Sequence, residues 1–496
     1  MDDKVGKNIG YASMGYMLPA ILAYAFLLFA TKVVNVDTIG LVAAIASFVT
    51  LVTSISSVNA SAGIRRYLGI SFSLGNMGEF KQFVTSSILF VSVGTIIISV
   101  LILIPQLQIL RLMGIGYEYV WIIVAMIAAT TFNFILYEPL VSSLNAKKLL
   151  LPSIIGSLIR FPLLFGFVYF LNSPGMGTIL SYASMLFVST AFYAFYVLKI
   201  VKGTPLKSTH NIVSNFKQLF NASLASWLPY VMGQIGSQLG VIIIFANKSP
   251  TDAGLFYIPM SIYSLSLFIV NGIERITQPL VAGMISAEQR VLYLLHTLKL
   301  GFIFTIPISL SLLFFSNDFL GIFGKTFSIG QSILVILMIA VPFDIVTGIV
   351  YHFIYGRGDH KSVFYFGLIG SILRTILYFV LIPSFGGNGA ALAYIAGSIV
   401  TFIFISKFAS KHNLVLEYRK YAIFTVIPMA LGFILWIFHI EFIIASIAIF
   451  FGSLIVYIRL NLFTDGDIHD VIYSGFPKNT AEKIYPVLSS IIHKIK

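Results

Sequence analysis

Long apolar runs, separated by short polar segments, follow one another along the whole chain. Runs of roughly 18 or more apolar residues are typical of transmembrane helices. The pattern therefore predicts an all-α, polytopic membrane protein with about fourteen transmembrane helices. These helices are predicted at residues 9–31, 39–58, 83–104, 119–140, 149–171, 178–198, 219–246, 253–270, 301–315, 329–353, 363–382, 390–408, 421–438 and 442–458. The ninth, 301–315, looks short, and we expect it to extend at both ends.

Composition agrees with a membrane protein and narrows the chemistry. Of the 496 residues, 58% are hydrophobic and only 10% are charged, whereas a soluble protein carries about 25% charged residues. The absence of cysteine excludes disulfides, thiolate metal sites and cysteine nucleophiles. The sequence contains no P-loop, dinucleotide fingerprint or nucleophile–base arrangement. We therefore expect a protein that is not an enzyme and has no cofactor, with H⁺, Na⁺ or the substrate gradient as its energy source.

The basic residues predict the orientation in the membrane. If the N-terminus is cytoplasmic, most of the 31 Lys and Arg residues fall in cytoplasmic loops and termini, and only Lys32, Arg111, Lys248 and Lys325 lie outside. This bias predicts an even number of spans in a cell membrane, with both termini in the cytoplasm. It also accounts for the net charge of +13, so we expect no nucleic-acid partner. We expect the protein to be a monomer.

The two halves of the chain repeat one another. The segment Ile155-Gly156-Ser157-Leu158-Ile159-Arg160 returns as Ile369-Gly370-Ser371-Ile372-Leu373-Arg374, 214 positions later. Three further landmarks recur in the same order, at offsets of 216, 209 and 212, and pair Phe29 with Phe245, Gly63 with Gly272, and Gly175 with Gly387. Such a series indicates an ancestral duplication.

Each copy holds six predicted spans, so the two copies share one orientation and are related by an axis along the membrane normal. We therefore predict two six-helix lobes, at residues 1–203 and 204–415. A further pair of transmembrane helices follows at 416–460, and an amphipathic cytoplasmic tail at 461–496. The tail contains Asp465-Gly466-Asp467, which we interpret as the acidic first turn of a short helix rather than as a metal site.

The repeated arginines are the leading candidates for function. Arg160 and Arg374 each lie near the middle of an apolar segment, where an arginine costs about 2.5–3.5 kcal/mol and marks a functional site by default. A guanidinium stays charged and binds phosphate through two hydrogen bonds. We expect Gly156 and Ser157 to leave room beside Arg160. The alternative is that each arginine is neutralised inside its own lobe.

Acidic residues within the predicted spans are few. Asp344 lies in the tenth span and Glu138 near the inner end of the fourth. Either residue could bind a coupling proton or sodium ion, or could instead neutralise an arginine. The sequence leaves these interpretations open.

Two further groups of polar residues are candidates for binding. Arg65, Arg66 and Arg275 follow the second and eighth spans, where they could form a cytoplasmic portal for an anionic headgroup or simply set the topology. Gln234 and Gln238 share one face of the seventh span, where they could bind sugar hydroxyls or form interhelical contacts.

Three groups of segments accompany the plan of six, six and two helices. They are Asn8 with the turn from Lys32 to Asp37-x-x-Gly40, Arg65-Arg66-Tyr67 with the loop Gly75-Asn76-Met77-Gly78-Glu79, and Gly386-Gly387-Asn388-Gly389-Ala390-Ala391-Leu392-Ala393. With these segments, the plan resembles the polysaccharide and lipid-linked oligosaccharide flippases of the MATE-like MOP (multidrug/oligosaccharidyl-lipid/polysaccharide) exporter superfamily. The resemblance covers nearly the whole chain, although no single motif is specific.

The resemblance implies a flippase that moves a polyprenyl-phosphate- or diphosphate-linked oligosaccharide from the inner to the outer leaflet by alternating access. Its partners would be that substrate, membrane lipids and glycan-assembly enzymes. The alternatives are an ion-coupled multidrug or small-solute antiporter of the MATE type, and a membrane scaffold for polysaccharide assembly. The drug exporters typically carry an acid in the first or seventh span, and neither predicted span has one here.

Overall fold

The computed structural model describes residues 3–104, 109–203, 210–412, 414–475 and 478–495. The described residues form helices and no β-strands, which confirms the predicted all-α class. The helices are α1 (Asp3–Val33), α2 (Val36–Ser56), α3 (Ala60–Ser73), α4 (Met77–Leu103), α5 (Ile109–Leu112), α6 (Val120–Ser142), α7 (Lys147–Phe170), α8 (Pro174–Val201), α9 (His210–Asn247), α10 (Pro250–Ser266), α11 (Phe268–Gly283), α12 (Ala287–Phe314), α13 (Ser316–Phe323), α14 (Gln331–Gly356), α15 (His360–Lys411), α16 (Tyr418–Ile437), α17 (Phe442–Arg459), α18 (Asp465–Gly475) and α19 (Lys478–Ile495).

Eleven helices of the described residues are long and apolar enough to cross a membrane, or up to twelve if a bent pair counts as one span. The predicted count of fourteen is therefore not confirmed, and the difference lies at three places. In α1, the described apolar segment Leu18–Val33 is shorter than a full span. Helix α10 meets the Phe268–Glu274 part of α11 at a bend of 53°. Two predicted spans fall within the single segment Lys361–Lys411.

Helix α12 corrects the prediction for the ninth span. We expected residues 301–315 to extend at both ends, but α12 extends only toward the N-terminus, from Ala287, and ends at Phe314. Ser286 caps its first turn by accepting a hydrogen bond from the backbone N–H of Gln289. The sequence pattern missed the first half of this helix because it carries charged residues, including Arg290 and Lys299.

Helix α15 reverses direction at Gly386. The backbone there is non-helical, with φ 54° and ψ −131°, a combination that residues with a Cβ rarely adopt. Three residues after the reversal, Gly389 approaches the preceding helix closely, since a Cβ there would lie 2.6 Å from the carbonyl carbon of Leu381. The repeat-related Gly177 makes the same kind of contact, since its Cβ would lie 2.8 Å from the backbone nitrogen of Val168. Glycine is therefore required in both copies where two consecutive helices pack together.

The two copies meet at a pair of glycines. A Cβ on Gly40 of α2 would overlap the carbonyl oxygen of Pro250, the first residue of α10. A Cβ on Gly254 of α10 would lie 2.5 Å from the carbonyl oxygen of Val36, the first residue of α2. Adding the offset of 214 positions to Val36 and Gly40 gives Pro250 and Gly254, so the two contacts are equivalent with the copies exchanged. A two-fold relation between duplicated segments requires this. This reciprocal contact supports the duplication.

The described contacts divide the chain into two compact units. One contains Met1–Ile258 and Gly367–Ala393, and the other contains Pro259–Phe366 and Tyr394–Lys496. The first has a core of α3, α4, α6 and α7 side chains that includes Leu68, Phe80 and Leu149. The second has a smaller cluster around Phe315, Ala445 and Ile449. The domain boundaries predicted from the duplication stay a prediction.

Within the second unit, the C-terminal tail is joined to α12 through a charged contact. Helix α18 begins at Asp465 with two acids in its first turn, which confirms the predicted acidic helix start. Asp467 is buried, and its two carboxylate oxygens accept hydrogen bonds from Lys299 Nζ at 2.8 and 2.6 Å. The same carboxylate accepts from the backbone N–H and the hydroxyl of Thr464, at 2.7 Å each. Asp467 thus joins the tail to α12.

Candidate functional site

Arg160 lies near the middle of α7 and is 2% exposed. Its Nε is 3.4 Å from the carbonyl oxygen of Ser157, and its guanidinium carbon lies 4.6 Å from the centre of the Phe26 ring on α1. Its Nη2 is buried and has no hydrogen-bond partner among the described residues. A buried donor without a partner costs about 1–3 kcal/mol, and more when the group is charged. The site therefore holds a cation whose hydrogen-bonding capacity is not fully used.

Carboxylates do not account for the burial of this arginine. The ion pairs of the described residues do not include Arg160. Instead the phenol groups of Tyr182 and Tyr257 lie within electrostatic range of its guanidinium. A cation over an aromatic face gains about 2 kcal/mol when desolvated, which offsets only part of the cost of burying a charge.

The neighbours of Arg160 come from both copies of the repeat. Phe26 lies on α1 and Tyr182 on α8, in the first copy, whereas Tyr257 lies on α10, in the second. Tyr257 is three residues beyond Gly254, at which the two copies make their close contact. The guanidinium therefore lies at the boundary between the two halves of the sequence.

The space beside Arg160 differs from our expectation. Gly156 does not leave an opening, because a Cβ there would lie 3.1 Å from the carbonyl oxygen of Met185 on α8. The hydroxyl of Ser157 is buried and points to the sulfur of Met185 at 3.8 Å. These small residues allow α7 and α8 to pack closely.

Arg374 lies on the first half of α15, in the same compact unit as Arg160. It is partly exposed, and its Nη1 is 3.5 Å from the carbonyl oxygen of Gly236 on α9. The hydroxyl of Tyr378 donates to the same oxygen at 2.7 Å. A Cβ on Gly236 would lie 3.4 Å from Ser371 Oγ, so that glycine allows the repeat segment to pack on α9.

The two glutamines of α9 lie away from Arg374. Gln234 and Gln238 each lie two positions from Gly236, which at about 100° per residue places them on the far side of the helix from Arg374. Both are partly exposed, and neither side-chain amide makes a hydrogen bond to another described residue. They remain candidates for a polar ligand on a separate face of α9.

Asp344 contacts a tyrosine of the same unit. The hydroxyl of Tyr263, on α10, donates to the Asp344 carboxylate, and the Tyr263 ring packs edge-on against Tyr394 at 5.2 Å. Tyr263 is fully buried. The role of Asp344 in binding a coupling ion stays a prediction.

Glu138 is held by Arg65 of α3. Arg65 Nε and Nη2 donate to its two carboxylate oxygens at 2.8 and 2.7 Å, and the Glu138 side chain is 4% exposed. In the described structure Glu138 is thus paired with an arginine, as one of the two interpretations of the sequence expects. The side chains of Arg66 and Arg275 lie outside the described residues, so the basic portal stays a prediction.

Sequence analysis missed the aromatic groups around Arg160. Nothing in the sequence linked Phe26, Tyr182 or Tyr257 to Arg160. These contacts depend on how α1, α8 and α10 pack, which hydrophobic periodicity does not specify.

Comparison with solved structures identifies the architecture. The lipid II flippase MurJ, in an inward closed conformation, matches with a TM-score of 0.72 and 16% identity, over 91% of this chain and 99% of that chain. An inward-facing multidrug resistance transporter of the MATE family in the MOP superfamily matches with a TM-score of 0.61 and 14% identity, over 82% and 98%. The chain has the MOP transporter fold. A MOP transporter from Pyrococcus furiosus also matches, with a TM-score of 0.58 and 14% identity, over 82% and 96%.

The MOP fold confirms the resemblance that the sequence indicated, at the level of architecture. No family model matches the chain, and no curated protein is detectably similar to it in sequence. The matching structures include a flippase and a multidrug transporter, so the function of this chain has to be argued from its own residues.

Proposed function

We propose that the protein is a flippase, which moves a polyprenyl-phosphate- or diphosphate-linked oligosaccharide from the inner to the outer leaflet of a cell membrane. Both termini are cytoplasmic in this proposal. The lipid-linked phosphate binds at Arg160 and Arg374, and the glycan occupies the transport cavity. Glycan-assembly enzymes on the cytoplasmic side supply the substrate.

The buried guanidinium of Arg160 is the observation that carries the proposal. It has no carboxylate partner among the described residues, an unused donor at Nη2, and neighbours from both copies. A phosphate oxygen would satisfy that donor through a charge-assisted hydrogen bond, one of the stronger interactions available to a protein. Because Arg160 is 2% exposed here, access requires a conformation in which the contacts around it open.

Arg374 supplies the second cation. It stands at the equivalent position of the other copy, and its partial exposure leaves it accessible while Arg160 is buried. Under alternating access, the phosphate first meets the more exposed arginine and engages the buried one as the lobes move. A bulky anionic lipid headgroup suits this arrangement better than a cationic drug, because both groups at the proposed site are positively charged.

The test uses purified protein in liposomes that contain a fluorescent polyprenyl-phosphate or polyprenyl-diphosphate oligosaccharide. The measurement is the rate at which the labelled headgroup becomes accessible on the opposite leaflet. Each lost charge-assisted hydrogen bond costs about 1.5–3 kcal/mol. We therefore expect Arg160→Ala and Arg374→Ala to slow flipping by roughly tenfold to a hundredfold.

The matched control is Arg111→Ala, which removes an exposed arginine outside the predicted spans. It should flip at the wild-type rate. Comparable expression and monodispersity of all three variants separate a binding defect from misfolding. Wild-type flipping in both Arg160→Ala and Arg374→Ala would refute the proposed phosphate site.

An ion-coupled antiporter is the second candidate, and Asp344 is the observation that favours it. This acid lies within a membrane span and is bonded to the buried hydroxyl of Tyr263. If the protein were such an exporter, the same liposomes would accumulate a cationic dye under an ion gradient, and Asp344→Asn would abolish the accumulation. Under the flippase proposal we expect no dye transport.

A further inference from the structure

An ion pair and an acid–imidazole pair occupy equivalent places in the two copies of the repeat. In the first copy, Arg65 of α3 holds Glu138 of α6 through two hydrogen bonds. In the second, Glu274 of α11 lies beside His352 of α14, with Oε2 and Nε2 3.7 Å apart. Each pair joins the helix that follows the second span of its copy to the fourth span.

The sequence supports this equivalence independently of the contacts. Tyr137-Glu138 and Tyr351-His352 are separated by 214 positions, the same offset that relates Arg160 to Arg374. Glu138 lies four residues before its span ends at Ser142, and His352 lies four residues before its span ends at Gly356.

Arg65 and Glu274 are related by their own segments. They follow Gly63-Ile64 and Gly272-Ile273, which are landmarks of the duplication. The charges are exchanged between the copies, because the acid lies on α6 in the first copy and on α11 in the second. The duplication has thus kept a polar pair at this place while changing its chemistry.

The surface of α14 is shaped to receive the Glu274 carboxylate. A Cβ on Gly348 would overlap Glu274 Oε1, so the carboxylate packs directly against the α14 backbone one turn before His352. The Glu274 side chain is 17% exposed and that of His352 is 31% exposed. The pair is therefore sheltered but reachable by water.

We propose that Glu274 and His352 form a proton-binding site, which closes the cytoplasmic end of the second copy when His352 is protonated. Arginine stays charged at every physiological pH, whereas histidine gains or loses its charge near neutrality. The Arg65–Glu138 contact is therefore permanent. The Glu274–His352 contact becomes an ion pair only when it holds a proton, and it loosens when the proton leaves.

Three tyrosines lie on the helices that carry or adjoin the pair. The ring of Tyr351 lies edge-on to His352 at 5.5 Å, and Tyr355 lies one turn away on α14. From α12, the side chain of Tyr293 lies beside Thr277 of α11. These tyrosines are uncharged near neutral pH. The side chain of Arg275, next to Glu274, is outside the described residues.

Proton binding would couple to transport if the protein is the flippase proposed above, and that part of the inference rests on the proposed function. The Arg65–Glu138 contact of the first copy would be permanent, and the Glu274–His352 contact of the second would depend on a bound proton. Release of the proton would then allow α11 and α14 to separate at their predicted cytoplasmic ends, and the substrate would enter on that side.

The experiment measures the separation of α11 and α14 as a function of pH in the full-length protein. The chain has no cysteine, so spin labels can be placed at single cysteines introduced at Gly283 and Arg357, which are exposed positions near the two helix ends. We expect one short distance at low pH. A longer distance should appear as the pH rises, with its midpoint between roughly pH 5.5 and 7.5.

Two comparisons make this result specific. Labels at the exposed positions Ser73 and Leu144, near the first pair, should give a distance that does not change with pH. The double substitution Glu274→Arg/His352→Glu transfers the arginine–glutamate pair to the second copy. In that background the α11–α14 distance should stay short at every pH, whereas His352→Gln should populate the long distance even at low pH.

The outcomes separate the site from the transport function. A pH-dependent distance in a protein that flips none of the lipid-linked sugars would refute the proposed function and leave the proton site supported. Active flipping with a distance that ignores pH, or that responds to Na⁺ alone, would overturn the proton site.

Discussion

The guanidinium carbon of Arg160 lies 4.6 Å from the centre of the Phe26 ring, and this aromatic face takes the place of a carboxylate partner. Phe26 is itself held by an edge-on contact with Phe161, at 5.6 Å between ring centres. The next residue after Arg160 thus fixes the ring on which Arg160 rests. Such an arrangement holds the cation in place and leaves its Nη2 without a hydrogen bond among the described residues.

This contact predicts a measurable coupling between the two side chains. Phe26→Leu and Arg160→Met should each change stability, and the double variant should change it by less than their sum. A buried cation–π contact is worth about 2 kcal/mol, so a coupling energy near that value is expected from a double-mutant cycle. The measurement is unfolding of the purified protein in mixed micelles. Strict additivity of the two substitutions would contradict the contact.

Some residues of this site could be predicted from the sequence, and others could not. Arg160 and Arg374 could be predicted because a charge in an apolar run is conspicuous and because the run is repeated. Phe26 could not, since one phenylalanine among 45 carries no signal until α1 packs on α7. Glu138 could be interpreted as a coupling site or as an ion-pair partner, and only the fold brings Arg65, 73 positions away, into contact with it.

The helix bounds likewise include one feature that the sequence predicted and one that it missed. The reversal at Gly386 was predicted as a break between two spans, because glycine-rich segments commonly separate helices. The first half of α12 was missed because a helix that carries Arg290 and Lys299 does not resemble a membrane span. Apolar periodicity thus locates helices in the membrane but does not show where they continue beyond it.

The glycine contact between α2 and α10 predicts a strong effect of a single methyl group. Gly40→Ala would drive a Cβ into the carbonyl oxygen of Pro250, a backbone atom that cannot rotate away. Overpacking of this kind typically costs about 1–3 kcal/mol. The variant should show a lower midpoint of thermal unfolding in detergent.

Gly166→Ala is the matched control for that experiment. Gly166 lies within the membrane-spanning helix α7, and a Cβ there would meet nothing within 4 Å. Its substitution should leave the midpoint unchanged or raise it slightly, because alanine favours helix more than glycine does. Equal losses in the two variants would mean that the α2–α10 contact is not close.

The pair of Arg65 and Glu138 predicts an asymmetric response to mutation. The Arg65 side chain is 64% exposed, whereas that of Glu138 is 4% exposed. Arg65→Ala therefore leaves a buried carboxylate without its donor, at a cost of about 1–3 kcal/mol. Glu138→Gln leaves an arginine that water can still solvate, and it should cost less. Unfolding in mixed micelles would measure both, and a larger loss for Glu138→Gln would contradict the asymmetry.

The buried carboxylate of Asp467 predicts a pH-dependent attachment of the cytoplasmic tail. Burial alone would raise the pKa of Asp467. The hydrogen bonds from Lys299 and Thr464 lower it by more than burial raises it, so the pKa of Asp467 lies below the ordinary value of 3.8. A carboxyl with a depressed pKa stabilises the folded state above its unfolded pKa, and that contribution is lost as the pH falls through the folded value. The contact should therefore be intact at pH 7 and fail only below about pH 3.8.

Asp467→Asn should release α18 from α12 at pH 7, and amide hydrogen exchange across residues 465–475 would detect it. We expect a loss of about 1–3 kcal/mol in the local opening free energy. Glu417→Gln is the control, because the Glu417–Lys420 pair is more exposed, at 34% and 49%, and its loss should cost less than about 1 kcal/mol. As the pH falls from 7 to 3, the local opening free energies of wild type and Asp467→Asn should become more alike. The reason is that a protonated aspartic acid, like asparagine, carries no charge to pair with Lys299. A difference that keeps its size over this range would mean that the charge of Asp467 does not hold the tail.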